Sequence, residues 1–515
     1  MKGKRFAAID LGSESICMSI AELQKDGTIE TIDETRQPSL LGKDSFYKGK
    51  ISRETINACI HTLLQYKKLC KEYGVEEIYV VAGTAVRESV NADIFIDNIS
   101  TATGLNVQIL SSNSQTECVH RALVKKLSDK DYKNYRCIAE IGAGNVVITI
   151  FDRDFILYST TLPIGALRAK QLFSQEEYNQ EEGFAKYLRF IVEHELRAMV
   201  KLIPVKKIIR IYGIGQELEE LSRVLKISHQ QNFTRIEKKQ LEEICHQAEK
   251  YSTAEIIHRM NVSDDMAENF YPICSIFLSI IKFLECEEIF IPDITLKDCI
   301  ISQAADKYSG AEDENLLEKQ IIINSQNIGR TFNYDESHAL KVLELSMKLF
   351  DQTESLHQLG AHERCLLMAG AILHDTGLAI SNRSHHKHSQ YIVSTQNFYY
   401  YSEEDRQIIA NIVRYHRKTF PKLTHSDYSS LSHKNRMVVC KLAAILRIAD
   451  SLDNNHRQLV EDVNVTIKKK NINIDVKTTD GTPVEEYSFN IKKDLFEDFF
   501  GFRVVLKNNN ITKDK

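Results

Sequence analysis

The order of apolar and polar residues at the amino terminus predicts two strands joined by a short turn. Residues 6–9 are apolar, Asp10 ends the run, Gly12 and Ser13 supply a turn, and residues 16–21 are mostly apolar again. This pattern is typical of a β-hairpin.

The hairpin pattern occurs a second time, in residues 137–151. An apolar run there contains an acidic residue, Glu140, and leads through a glycine-containing turn into a second apolar run. Behind each copy, the spacing of apolar residues predicts further helices and strands. We therefore predict an internal repeat of two similar α/β halves, over residues 1–125 and 126–303.

The pattern changes after residue 315. Apolar residues then recur at helical spacing, and strand-like alternation returns only from Val463 onward. These patterns predict an all-α domain over residues 315–462 and a small C-terminal α+β domain over residues 463–515. A chain of 515 residues is long enough for about three to four domains.

Composition restricts the partners and the compartment. The 66 basic and 71 acidic residues give a formal charge of −5, so we expect no specific nucleic-acid partner and no membrane contact. The eleven cysteines form no C-x-x-C pair, which is typical of a reduced protein. No apolar segment reaches the roughly 20 residues that span a bilayer. We predict a soluble, cytoplasmic protein whose phosphate sites, if present, are local.

The two glycine turns suit phosphate binding. Consecutive backbone N–H groups of such turns can converge on an anion, and the nearby carboxylate can hold a hydrated Mg²⁺ that bridges phosphates. Turns of this kind also serve as plain hairpin connectors. The repetition favours a pair of turns that binds a phosphate chain from two sides.

Three segments of the chain carry a resemblance to a known family. Residues 8–13 (A-I-D-L-G-S) are similar to a first phosphate motif, residues 83–88 (G-T-A-V-R-E) to a T-S-A-x-R motif, and residues 162–168 (L-P-I-G-A-L-R) to an L-P-x-G segment. In this order they resemble the exopolyphosphatase and guanosine pentaphosphate phosphohydrolase (Ppx/GppA) family. The resemblance extends along essentially the whole chain.

The resemblance implies two actin-like (ribonuclease H-like) halves and a hydrolase that releases terminal phosphate from polyphosphate or a guanosine polyphosphate. It also implies that Arg87 contacts the anionic substrate, for which a guanidinium is well suited. The predicted phosphate-binding residues are Asp10, Gly12, Ser13, Arg87, Glu140, Gly142 and Gly144.

Departures from the family pattern leave the catalytic residue open. The family's D-I-G-G-G-S-x-E motif is E-I-G-A-G-N-V-V here, from Glu140 to Val147. The family's water-activating glutamate corresponds to Gln115, whose amide can orient water but cannot accept its proton. Glu117 would serve only if the register slips. The alternative function is therefore a catalytically weakened sensor that binds polyphosphate or a nucleotide.

Eleven of the seventeen histidines lie between residues 338 and 456. The residues His338, His374-Asp375 and Asp450 have the H…HD…D order and resemble the HD phosphohydrolase superfamily. Imidazoles and carboxylates from several helices suit a divalent metal, either Mg²⁺ or Mn, Fe, Co, Ni or Zn, that activates water for attack on a phosphate compound. Additional ligands for a second metal are expected among His386, His388 and His416. The alternative is a relict site in a domain that serves interaction or homodimer formation.

Overall fold

The computed structural model of the protein describes residues 3–127, 134–152, 155–173, 181–203, 205–225, 233–310, 314–396, 398–478 and 481–510. The chain forms two compact units, Met1–Glu312 and Asp313–Lys515. Among the described residues, no helix has the length and apolar character needed to cross a membrane.

The first unit begins with a five-stranded sheet. Its strands are β1 (Lys4–Leu11), β2 (Ser15–Leu23), β3 (Ile29–Pro38), β4 (Glu77–Ala82) and β5 (Val107–Ile109). They lie in the order β3-β2-β1-β4-β5. Strand β2 is antiparallel to its neighbours β1 and β3, whereas β4 and β5 are parallel to β1. The first predicted hairpin is therefore the pair β1 and β2, in which Asp10 lies opposite Cys17.

A second sheet follows in the same unit. Its strands are β6 (Tyr135–Ile141), β7 (Val146–Asp152), β8 (Phe155–Leu162), β9 (Ile208–Ile214), β10 (Phe233–Glu237) and β11 (Glu288–Pro292). Five of them lie in the order β8-β7-β6-β9-β11, with the same relative directions as the strands of the first sheet. The predicted internal repeat is confirmed, and β10 is an antiparallel addition at the edge.

Helices cover both sheets of the first unit. They are α1 (Leu41–Lys48), α2 (Arg53–Glu72), α3 (Thr84–Arg87), α4 (Ala92–Thr103), α5 (Ser112–Lys126), α6 (Ala166–Phe173), α7 (Glu181–Leu202), α8 (Gln216–Val224), α9 (Lys238–Lys250), α10 (Thr253–Met260), α11 (Asp264–Phe283) and α12 (Leu296–Ser309). Each sheet has its own buried cluster, and a third cluster joins them through α5 and α12 with residues such as Val119 and Ile300.

The second unit is a helical bundle with a small sheet. Its helices are α13 (Glu314–Thr331), α14 (Glu336–Gln352), α15 (Glu354–His357), α16 (Ala361–Leu373), α17 (His385–Thr395), α18 (Glu403–Arg414), α19 (Ser426–Ser429), α20 (His433–Ser451), α21 (Pro483–Lys492) and α22 (Asp494–Phe500). The strands are β12 (Val460–Ile467), β13 (Asn471–Thr478) and β14 (Arg503–Asn510), with β13 in the centre.

One hydrophobic cluster includes residues of both the bundle and the small sheet, among them Leu446 of α20 and Ile474 of β13. Shared burial of this kind favours folding as one body, because neither part covers its apolar face alone. The structure thus has two compact units where the sequence predicts four domains. The division of each unit into two domains stays a prediction.

Candidate functional site

The turns of the two hairpins face one cleft in the first unit. The cleft has a volume of about 440 Å³, and its wall includes Asp10, Gly12 and Ser13 from the first turn with Glu140 and Gly142 from the second. Most of the predicted phosphate-binding residues therefore meet at one place. Backbone N–H groups of such turns are suited to bind an anion.

Asp10 and Glu140 are the next-to-last residues of β1 and β6 and hold equivalent positions in the two halves. Burial raises the pKa of Asp10 to about 6, while the charge of Lys297 opposes the rise. Burial also raises the pKa of Glu140 to about 7, where a hydrogen bond from Gln115 opposes the rise and the charge of Asp10 adds to it. The two carboxyl groups therefore interact across the cleft.

Gln115 lines the cleft, whereas Glu117 lines a different cavity together with Tyr79 and Arg121. Both residues lie near the start of α5, where the Ser111 hydroxyl accepts a hydrogen bond from the first-turn backbone and caps the helix. The Gln115 amide nitrogen donates a hydrogen bond to the Glu140 carboxylate. Of the two catalytic candidates, the structure brings only Gln115 to the cleft.

Arg87 is not among the residues that line the cleft. Its guanidinium donates to the backbone oxygen of Leu110 at 2.5 Å, to Thr84 Oγ1 at 2.9 Å and to Ser112 Oγ at 3.2 Å. Thr84 does line the cleft. In this structure Arg87 therefore fixes Thr84 and the start of α5, and its predicted contact with substrate stays a prediction.

Two glycines serve close packing: Gly144 of the second turn and Gly165 of the L-P-x-G segment. A Cβ atom on Gly144 would lie 2.5 Å from the Phe46 ring, so this glycine packs against the first half and does not line the cleft. A Cβ atom on Gly165 would lie 2.2 Å from the Gly142 oxygen and 2.4 Å from the Asn145 nitrogen. The L-P-x-G segment thus supports the second turn by close backbone contact.

The cleft wall also contains charged residues outside the predicted phosphate-binding set. They are Glu14, Glu34, Arg36 and Lys297. Lys297 Nζ lies 2.9 Å from Glu34 Oε1, and its charge also acts on Asp10. With Asp10 and Glu140 included, carboxyl groups outnumber cationic side chains. The only sign of Lys297 in the sequence is that it is a basic residue near the start of α12.

The H…HD…D residues converge in the second unit. His338 of α14, His374 after α16 and Asp450 of α20 have ligand atoms within 4.8 Å of one another. The Nε2 atoms of His338 and His374 are 3.2 Å apart, and Asp450 Oδ1 lies 3.7 and 3.8 Å from them. The structure thus brings these predicted ligands to one point, together with Asp375, whose Oδ2 is 3.7 Å from His374 Nε2.

A second group of possible ligands adjoins the first through Asp375. Its Oδ1 atom lies 3.1 Å from His385 Nε2 and 3.6 Å from His416 Nε2, while its Oδ2 atom faces His338 and His374. One oxygen of Asp375 thus faces each group. The predicted extra ligand His416 belongs to the second group, and His385 was missed by the sequence analysis.

The predicted extra ligands His386 and His388 belong to none of the ligand groups that the described residues form. A Cβ atom on Gly377 would lie 2.2 Å from the His385 oxygen and 2.8 Å from the His388 Cβ. The turn after Asp375 therefore packs closely against the start of α17, with His388 at that contact. A third group combines His338 and Asp375 with His456, whose ring stacks on His338 at 3.7 Å.

The Nδ1 atoms of the four facing imidazoles are bound to other groups. His338 Nδ1 lies 2.8 Å from Asp453 Oδ2. The other three face backbone oxygens three residues earlier: His374 with Ala371 at 2.8 Å, His416 with Val413 at 2.6 Å, and His385 with Asn382 at 3.2 Å. An Nδ1–H that donates to an oxygen leaves Nε2 with a free lone pair, as a metal ligand requires.

The donor set fits a divalent metal. Burial lowers the pKa values of His374 and His416, which favours their neutral, ligating form. Imidazole lone pairs that face each other at 3.2 and 3.4 Å repel unless a cation lies between them. Neutral imidazoles with carboxylates suit Mn, Fe, Co, Ni or Zn, and the carboxylates also accept Mg²⁺.

Comparison with known proteins assigns the family. The model of the Ppx/GppA phosphatase family matches residues 19–308, and the model of Ppx/GppA phosphatase domain III matches residues 323–491. The chain belongs to the Ppx/GppA phosphatase family. The predicted family is thus confirmed, and the membership supports a phosphatase function. The relation of the second unit to HD proteins stays a prediction.

Two relatives define the extent of the similarity. A guanosine-5'-triphosphate,3'-diphosphate pyrophosphatase of Photobacterium profundum is 20% identical over 442 residues, which cover 86% of each chain. The crystal structure of an Aquifex aeolicus Ppx/GppA family member has a TM-score of 0.51 at 22% identity and covers 59% of this chain and 98% of its own.

A third relative supports the same fold. The crystal structure of an exopolyphosphatase from Cytophaga hutchinsonii has a TM-score of 0.54 at 17% identity and covers 59% of this chain and 98% of its own. These likenesses support the predicted pair of actin-like sheets.

Proposed function

We propose that the chain hydrolyses terminal phosphoanhydride bonds of polyphosphate or of a guanosine polyphosphate in the cleft of its first unit. The observation that carries the proposal is the pair Asp10 and Glu140, which occupy equivalent strand ends and interact across one cleft lined by the two glycine turns. The name of the Photobacterium profundum relative supports a guanosine polyphosphate, and the family supports both substrates.

The charge of the cleft predicts a need for a divalent cation. Its wall carries more carboxyl groups than cationic side chains, so a bare polyphosphate chain would be repelled. Asp10 and Glu140 are the residues that would hold Mg²⁺, which, when bound, neutralises phosphate oxygens. In the second turn the Gly142 N–H already donates to the Asn145 oxygen at 2.9 Å. The phosphate chain would therefore bind other backbone N–H groups of the turns, among them that of Gly12, and Gln115 would orient the attacking water.

Phosphate release by the full chain tests this proposal. Polyphosphate or guanosine pentaphosphate is supplied with Mg²⁺. Asp10→Ala is expected to lower the rate at least about 100-fold, because it removes one of the two carboxylates that would hold the Mg²⁺. Glu117→Gln is the matched control and should leave the rate unchanged, since Glu117 lies in another cavity. A wild-type rate that survives Asp10→Ala would exclude this cleft.

Gln115→Glu separates turnover from sensing, the alternative proposed from the sequence. The amide of Gln115 cannot accept a proton, and loss of a general base commonly lowers a rate by about 10²- to 10⁴-fold. If the chain is a weakened sensor, calorimetry finds polyphosphate binding without release, and Gln115→Glu raises the rate. Fast release by the wild type, without a gain from Gln115→Glu, contradicts the sensor.

The metal-ligand groups support a second function, a metal-dependent phosphohydrolase in the second unit. His338, His374, Asp375 and Asp450 would hold one metal, and Asp375, His385 and His416 a second. The metal would act as a Lewis acid on a phosphate group and would activate water. The residues of this chain supply imidazoles with fixed Nε2 atoms and a carboxylate shared between the groups.

Elemental analysis of the purified full chain tests the metal centre. We expect bound divalent metal in the wild type, and none in the double variant His374→Ala/Asp375→Ala, which removes ligands from both groups. Circular dichroism and the polyphosphate assay of the double variant show whether the first unit stays folded. A wild type that neither carries metal nor gains it from Mn²⁺ or Mg²⁺ would leave these residues a structural role, as in an interaction or homodimer platform.

A further inference from the structure

Two cationic side chains contact the proposed metal ligands directly. Lys492, the last residue of α21, places its Nζ 2.5 Å from Asp450 Oδ2. Arg417, which follows the ligand His416, places Nη1 2.9 Å from His385 Nε2. One cation thus lies beside each of the two ligand groups.

Lys492 contacts the oxygen of Asp450 that the imidazoles do not face. Oδ1 of Asp450 lies nearest the Nε2 atoms of His338 and His374, and Oδ2 accepts from Lys492. Asn454 Oδ1, 3.4 Å away, is the other partner of the ammonium among the described residues. An ammonium has three N–H groups, so one is left for a ligand. The side chain is 14% exposed, so solvent reaches it.

Arg417 lies beside the lone pair that a metal would take. Because His385 Nδ1 faces the Asn382 oxygen at 3.2 Å, the lone pair of this ring is on Nε2. Nη1 of Arg417 is 2.9 Å from Nε2 and 3.3 Å from Nδ1, so it lies nearer the lone pair. A metal held by His385 would take the same lone pair, which would leave the Arg417 guanidinium beside it without this hydrogen bond. A guanidinium so placed can bind two phosphate oxygens.

We propose that Lys492 and Arg417 bind the terminal phosphate group of the substrate at the metal centre. The inference rests on the metal-dependent function proposed for the second unit. Neither the H…HD…D pattern nor the family motifs include these two residues. Their contacts with ligands from both groups are the observation that selects them.

The charge of the centre favours a phosphate dianion. Three carboxylates surround the imidazoles, those of Asp375, Asp450 and Asp453. The four positive charges of two divalent metals would exceed their three negative charges by one. Lys492 and Arg417 add two positive charges, which a monoanionic diester would balance less well than a dianion. The expected substrate class is therefore a phosphomonoester or a terminal phosphoanhydride.

Binding of inorganic phosphate to the Mn²⁺-loaded full chain tests the proposal by calorimetry. Phosphate can also bind in the cleft of the first unit, which the variant His374→Ala/Asp375→Ala keeps. The component of the binding signal that this variant lacks is therefore the one due to the metal centre. Lys492→Met and Arg417→Met should each weaken this component at least about tenfold, because each removes a charge-assisted hydrogen bond. Lys492→Arg should retain most of the affinity.

Matched controls remove a similar charge elsewhere in the second unit. Lys348 pairs with Glu344 and Asp462, and Arg364 pairs with Asp351 and Glu318, none of which is a proposed ligand. Lys348→Met and Arg364→Met should leave phosphate affinity unchanged. Dimethyl phosphate, a monoanionic diester, should bind the wild type at least about tenfold more weakly than inorganic phosphate.

The outcomes distinguish the inference from the function on which it rests. If the wild type binds no metal, the metal centre fails, and the inference fails with it. If metal content and phosphate affinity both persist in Lys492→Met and Arg417→Met, the inference is wrong while the centre stands. If Lys492→Met loses metal, Lys492 is a positioning residue for Asp450, and its phosphate role is wrong. Equal binding of the two phosphate compounds would overturn the substrate class.

Discussion

The cleft of the first unit and the metal centre of the second hold their polar groups in place by different means. In the cleft, backbone packing shapes the second turn, because Gly165 lies against Gly142 and Asn145 at distances that exclude any side chain. In the centre, side-chain contacts position the ligands, as where Asp453 holds the His338 ring.

This difference predicts which changes each site should tolerate. A turn built by backbone contacts keeps its shape when a side chain changes, so Gln115 and Glu140 can replace the family's residues and still form a hydrogen bond with each other. A buried cluster of imidazoles and carboxylates leaves unpaired polar groups when one member is lost. In keeping with this, the departures from family patterns lie in the cleft, whereas the H…HD…D residues are all present.

Among the single substitutions that test this comparison, loss of His385 should have the largest effect on the centre. His385→Ala removes one imidazole of the second ligand group, and we expect the loss of one metal equivalent per chain in elemental analysis, or a fall of at least about 100-fold in its affinity. His388→Ala is the matched control on the same helix and should retain the full metal content. Equal losses in both variants would contradict the assignment of His385.

Gly165→Ala should break the cleft and leave the centre intact. The added methyl group would meet the backbone of the second turn at 2.2 to 2.4 Å, so we expect the first unit to lose about 3 kcal/mol of stability or to shift the turn. Urea unfolding and phosphate release measure the two effects. Gly183→Ala in α7, where a Cβ atom meets nothing within 4 Å, should stabilise the chain by about 0.5–1 kcal/mol. Metal content should be unchanged in Gly165→Ala, because the proposed metal ligands lie in the second unit.

The fold could be predicted where local patterns determine it. Alternation and turn residues located β1, β2, β6 and β7, and their similarity located the repeat, because hairpin pairing is local in sequence. The added strand β10 could not be predicted, since its pairing with β11 joins residues far apart along the chain. The sequence also did not show that the small C-terminal sheet shares its core with the bundle.

The kinds of residue in the candidate sites could be predicted better than the individual positions. Asp10 and Glu140 follow from their strand ends, but the orientation of Arg87 depends on the oxygen of Leu110, which only the fold brings near. Among the histidines of residues 385–388, the choice depends on the phase of α17. The close contact of Gly377 with that helix sets this phase, and no periodicity in the sequence reveals it.

Asp453→Asn should weaken the centre more mildly than loss of a ligand. Asp453 is fully buried, and its carboxylate holds His338 Nδ1 at 2.8 Å, so the change removes the charge that favours the ligating orientation of the ring. We expect metal affinity to fall about 10- to 100-fold, as is typical of groups behind a ligand. Asp462→Asn, whose carboxylate pairs with Lys348, should leave the affinity unchanged. Titration with Mn²⁺ measures both, and unchanged affinity in Asp453→Asn would make that carboxylate a packing residue only.

The smallest expected effect concerns a histidine of the first unit that is buried and has no carboxylate partner in the part of the chain that the structure describes. His120 of α5 packs edge-on against Phe151, and its Nε2 atom has no hydrogen-bond partner among the described residues. Burial lowers its pKa from 6.5 to about 3, and the charge of Arg121 adds to the effect. Below pH 6.5 the unfolded chain binds a proton that the folded chain does not, so stability falls as the pH drops from 6.5 toward 3. At pH 5 the loss amounts to about 2 kcal/mol.

His120→Leu should remove this pH dependence. Urea unfolding at pH 7.5 and pH 5.0 measures it, and the wild type should lose about 2 kcal/mol more than the variant between the two pH values. The comparison of wild type with variant cancels the titration of the histidines in the second unit, which is the same in both. His61→Leu is the control, because it removes an exposed histidine of α2, and this variant should lose as much stability as the wild type between the two pH values. If His120→Leu and the wild type lose equal stability between the two pH values, the His120 ring is protonated in the folded chain at pH 5. The buried imidazoles of the two units then differ less in their protonation than their surroundings imply.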